Sequence, residues 1–71
     1  MENYAKAEAV RREADRITNA FARYPMGEHR ASTAVTKRIL IDGPYLFNGQ
    51  SWEVKAKSLG AGIYKLTLEK A

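Results

Sequence analysis

Asn48-Gly49 is the feature that most restricts what this chain can fold into. An Asn-Gly pair between alternating runs favours a two-residue hairpin, because a type I′ turn needs positive φ at both central residues. Before it, Val35, Ile39 and Ile41 alternate with Thr36, Arg38 and Leu40; after it, Trp52, Val54 and Ala56 alternate with Glu53, Lys55 and Lys57. A tight turn sets Phe47 against Gln50, Tyr45 against Trp52, Gly43 against Val54 and Ile41 against Ala56. The inward sets of both strands then share one face, as they must, since a one-residue slip turns a strand over. An open loop from Asp42 to Ser51, pairing Ile41 with Trp52, satisfies the same parity. The turn preference favours the hairpin, with Asp42-Gly43-Pro44 as a bulge or bend in an edge strand, where proline is tolerated.

A third alternating run follows, with Tyr64, Leu66 and Leu68 between Lys65, Thr67 and Glu69. A two-residue Gly60-Ala61 turn would oppose Ala56 and Lys65 and break the facing rule. A three-residue loop, Gly60 to Gly62, sets Ala56 against Leu66 and Val54 against Leu68, with Gly62 left-handed. The three strands form a meander with the second in the middle.

Upstream, residues 3–24 are rich in Ala, Arg and Glu, which favour helix. Ala7, Val10, Ala14, Ile17, Phe21 and Tyr24 are spaced by threes and fours, which puts them on one stripe. Asn3 serves as the N-cap, and Pro25 followed by Gly27 stops the helix. A seven-residue seam also suits a coiled coil, but an Ala-rich stripe this short is better used lying close to a sheet. The expected fold is α+β: one N-terminal helix (3–24), a linker (25–32), and a three-stranded antiparallel meander (33–47, 51–58, 63–69), an αβββ order in a single domain.

Seventy-one residues without cysteine leave no disulfide or thiolate metal site. The one histidine, His29, sits with Glu28 and Arg30 in what reads as an exposed polar linker. No phosphate-cradling loop, paired-carboxylate motif or ligand cluster appears. The expectation is a non-enzymatic protein without cofactor or metal. No apolar run approaches a membrane span and no signal-peptide core is present, which predicts a cytoplasmic protein.

The formal net charge is +4, and its distribution is uneven. Residues 1–35 carry six Lys/Arg and five Asp/Glu, a net +1, whereas residues 36–71 carry six and three, a net +3. With one helix available, the second face of the sheet has no cover, and parity assigns it Arg38, Lys55, Lys57 and Lys65. Lys57 then faces Lys65 across the strands, with Leu40 on its other flank; like charges directly opposite cost stability. The aromatics Tyr45, Phe47, Trp52 and Tyr64 turn towards the helix, which argues against base stacking and leaves phosphate contact. On the helix, Arg11, Arg12, Arg16 and Arg23 point away from the seam, with Glu8 and Asp15 spaced to pair with Arg12.

The sequence thus predicts a nucleic-acid-binding module that contacts phosphates without sequence preference through Arg38, Lys55, Lys57 and Lys65. A competing reading is a small protein-binding regulator or inhibitor, of phage or mobile-element type. It would meet an acidic protein surface through Leu40, Leu59 and Ile63 or through the edge of the third strand. A structural homodimer closed by its twin is the third.

Overall fold

A computed structural model describes the backbone of residues 2–71 and the side chains of residues 5–71. The order is α1 (Glu2–Arg23), β1 (Glu28–Ser32), α2 (Thr33–Asp42), β2 (Tyr45–Phe47), β3 (Gln50–Gly60) and β4 (Ile63–Lys70). The strands form one curled antiparallel sheet in the order β1-β4-β3-β2. The fold is α+β, with a second helix and a fourth strand beyond the expected αβββ.

α1 buries Ala14, Ile17 and Phe21, three members of the stripe, with Val10 packed beside them. Tyr24, also assigned to the stripe, is 71% exposed because the helix has ended at Arg23. The last turn closes through Tyr24 N–H to the Ala20 carbonyl (2.9 Å) and Gly27 N–H to the Tyr24 carbonyl (3.0 Å). The cap assigned to Asn3 lies outside the described side chains.

The expected first strand, 33–47, is mostly helix. Val35 and Ile39 lie four apart, a spacing that shares a face in both a strand and a helix. Ile41 distinguishes the two. In a strand it would point inward with Ile39; in α2 it is 77% exposed while Ile39 is fully buried. The pairings expected for Gly43 with Val54 and Ile41 with Ala56 therefore do not form. Ser32 starts the helix as N-cap, its hydroxyl accepting from the Val35 N–H (3.3 Å). Gly43 ends it, donating its N–H to the Ile39 carbonyl (3.2 Å), and Pro44 follows through a cis peptide bond. The Asp42-Gly43-Pro44 signal is thus a helix stop leading into β2, not a bend inside a strand.

Residues 28–32, expected as linker, form β1. His29 and Ala31 face inward while Glu28, Arg30 and Ser32 are exposed. His29 is not an exposed linker residue: its ring meets Phe21 edge-on, centroids 4.8 Å apart.

The first turn reading holds; of the second the register and a left-handed Gly62 hold, but the loop is two residues with a bulge, not the expected three-residue Gly60–Gly62 loop. Asn48 and Gly49 have φ of 52° and 76°, and Tyr45 pairs with Trp52 and Phe47 with Gln50. Val54 pairs with Leu68 and Ala56 with Leu66, as expected. The far hairpin closes at Gly60 and Ile63 around Ala61-Gly62, and a bulge between Ser58 and Gly60 restores the register of a three-residue loop. Thr33, at the start of α2, reaches this tip through its hydroxyl, which donates to the Gly62 carbonyl (3.4 Å).

Both helices pack on one face of the sheet. Ile17, Phe21, Ile39 and Leu66 are fully buried and come from α1, α2 and β4. Each contributes about 1.5–3 kcal/mol by leaving water. Tyr45, Phe47, Val54, Tyr64 and Leu68 pack around them. The Tyr45 and Phe47 rings stack at 5.8 Å, and the Tyr45 hydroxyl donates to the Ile39 carbonyl (2.7 Å), tying α2 to β2. Burial, with Asp42 adding to it, raises the Tyr45 phenol above its ordinary pKa.

Since Ser32 alone supplies a side-chain cap to α2, Ser32→Ala is expected to cost about 1 kcal/mol. In a domain of this size that lowers the melting temperature by about 4–8 °C, read by circular dichroism. Ser32→Gly should lose only a fraction of that.

Candidate functional site

The outer face of the sheet carries the charge. Its register places Arg30 of β1 opposite Lys65 of β4, and Lys65 opposite Lys57 of β3. At about 4.8 Å between neighbouring strands, the three cations make a row about 10 Å long. Arg30 and Lys57 are exposed and make no ion pair among the described residues. Lys65, in the middle, is offset by Glu28 at 3.9 Å.

One row away the balance changes. Lys55 lies between Glu53 (3.7 Å) and Glu69 (3.9 Å), so two carboxylates answer one ammonium. These pairs are more than half exposed and contribute little to stability. They do dilute the positive potential at that end. The cationic character is concentrated towards the Ala61-Gly62 tip.

Of the four residues expected at this face, Lys55, Lys57 and Lys65 are on it and Arg38 is not. Arg38 belongs to α2 and pairs with Asp42 one turn on, at 2.9 Å. Its removal follows from the helix: once 33–42 leaves the sheet, its side chains follow the helical turn. Arg30 takes a place in the row and was missed, because the segment around it lacks large apolar residues. The signal was the alternation of His29 and Ala31 with Glu28, Arg30 and Ser32, with a half-buried imidazole standing in for an aliphatic chain.

The alternative contact set is dispersed. Leu40 lies on α2, 46% exposed, and no longer flanks Lys57. Leu59 and Ile63 flank the hairpin tip, 45% and 38% exposed. The edge proposed for the third strand is occupied, because β1 pairs along β4 from Glu28 to Ser32. The strand expected in the middle, β3, is instead open on one side beyond Trp52, since β2 covers only Gln50 to Trp52.

Elsewhere four of the described basic residues, Arg11, Arg12, Arg16 and Arg38, are answered by carboxylates of their own helices, while Lys6, Arg23, Lys37 and Lys70 make no ion pair among the described residues. Glu8 accepts from Arg11 (2.5 Å) and Arg12 (3.3 Å), and Glu13 accepts from Arg16. Arg12 thus uses Glu8; no bond to Asp15 is formed. The Arg11 hydrogen bond leads in holding the Glu8 carboxyl below its usual range, and Arg16 does the same for Glu13. No group of three or more metal-ligating side chains occurs among the described residues. No helix among them is long and apolar enough to cross a membrane.

Facing cations cost stability, so Lys57→Glu, which sets a carboxylate against Lys65, should stabilise the fold by roughly 0.2–1 kcal/mol. Chemical denaturation reads this as a higher midpoint with an unchanged slope. A lower midpoint would mean that the row is not strained by like charge.

No family model, curated protein or solved structure matches this chain, so its site is defined by its own geometry.

Proposed function

We propose that this chain is a small non-enzymatic module that contacts nucleic-acid phosphates through Arg30, Lys65 and Lys57, with Lys55 on the flank. The observation that carries this reading is the alignment of three cations across three strands, held despite mutual repulsion. A polyanion relieves that repulsion, and an open sheet lets a backbone lie across the row. The inward turn of Tyr45, Phe47, Trp52 and Tyr64 supports contact with phosphates over contact with bases. His29 is engaged with Phe21, which supports a packing role for the one imidazole over a catalytic one. Sheet-to-sheet dimerisation fits less well, since it would bring cationic rows of two copies together.

Three phosphate contacts set the expected salt response. The logarithm of affinity should fall against the logarithm of salt with a slope of about −2.7 on duplex DNA and about −2.1 on single strands. Fluorescence anisotropy with labelled oligonucleotides measures both. Lys57→Glu combined with Lys65→Glu should abolish binding at low salt, while Arg38→Glu should leave the slope unchanged. Absence of binding at low ionic strength, or a slope near zero, contradicts the reading.

A further inference from the structure

We propose that the free edge of β3 accepts an extended peptide, acidic on one face and apolar on the other, as a fifth strand of the sheet. This goes beyond the phosphate-binding face, because it uses backbone groups at the sheet's edge.

The edge is created by the fold. β2 leaves β3 after Trp52, yet β3 continues to Gly60. The Ala71 N–H donates to the Ser51 carbonyl at 3.1 Å, so Ser51 is bonded on the β4 side. Alternation then directs Glu53, Lys55 and Lys57 to β4, and turns the N–H and C=O groups of Val54, Ala56 and Ser58 outward. Three consecutive outward residues offer the ladder on which strand addition depends.

The side chains along this edge specify the occupant. On the outer face Lys55 and Lys57 flank the edge, with Lys65 behind them. Beside Val54 a cleft of about 340 Å³ opens, lined by Ile39, Leu40, Gly43 and Pro44 together with Glu53 and Lys55. An added strand therefore presents alternate residues to two environments. Those opposite Lys55 and Lys57 are best acidic, and those opposite Val54 and Ala56 are best apolar.

A second copy of this chain is the obvious rival, and charge disfavours it in the three registers centred within the exposed stretch. Antiparallel self-pairing centred on Lys55, Ala56 or Lys57 opposes Lys55 to itself, Lys55 to Lys57, or Lys57 to itself. Each of these three registers puts ammonium groups face to face.

The test uses a terminally blocked hexapeptide of alternating glutamate and valine, its lysine-valine counterpart, and a glutamate-valine version N-methylated on alternate amides. Titration calorimetry should show the glutamate-valine peptide binding at least tenfold tighter than either other peptide. Amide shifts should change at Val54, Ala56 and Ser58. Ala56→Pro removes an outward N–H without touching the β4 ladder, a position where strands tolerate proline. It should weaken peptide binding at least tenfold while leaving oligonucleotide binding as in the parent. Should that variant fail to fold, Lys55→Glu with Lys57→Glu carries the test by reversing the order of the first two peptides. Peptide binding that survives N-methylation or Ala56→Pro, an unreversed order, or no binding by any peptide overturns the proposal.

Discussion

The hydrogen bond from the Val35 N–H to the Ser32 hydroxyl marks the point where the chain leaves the sheet. Up to Ser32 it is a strand along β4; from Thr33 to Asp42 it is a helix lying over the inner face. Three consequences depend on that change of direction. Ile39 enters the core between α1 and the sheet, Arg30 is left beside Lys65, and β3 loses the neighbour that a continuous strand would have supplied. The gain is a second helix in a chain near the size at which one core barely suffices.

The outer face shows the opposite priority. Arg30, Lys65 and Lys57 are set side by side, with one partial answer from Glu28. Glu53 and Glu69 lie near enough to neutralise Lys55 but one row from Lys57. Stability alone would favour alternating signs across these positions. The proposed contact with a polyanion would draw on this concentration of positive charge. The open edge of β3 borders the same row, so the two proposed contacts would share one small sheet.

Much of this was legible in the sequence where a local signal had one meaning. The Asn48-Gly49 turn, the Ala56–Leu66 and Val54–Leu68 pairings, the facing Lys57 and Lys65, and the inward aromatics all follow from turn chemistry and parity. The segment 33–42 misled because Thr33, Val35, Thr36, Ile39 and Ile41 are β-branched and favour strands. Its two apolar core residues, Val35 and Ile39, sit four apart, where both periods agree. What decided for helix was punctuation at the two ends, Ser32 and Gly43-Pro44, together with tertiary burial of Ile39. β1 was hidden for another reason: only Ala31 of its five residues is buried, and His29 packs as an aromatic ring against Phe21. The errors are linked. Reading 33–42 as strand moved Arg38 onto the face, left Arg30 in a loop, and put the free edge on the wrong strand.

Amide hydrogen exchange along β3 in the free protein tests the account most directly. With α2 formed and β2 ending at Phe47, exchange should alternate, with Glu53, Lys55 and Lys57 protected by β4 and Val54, Ala56 and Ser58 open to solvent. Uniform protection from Glu53 to Ser58 would place a strand on that edge, and the second helix and the docking edge would fall together.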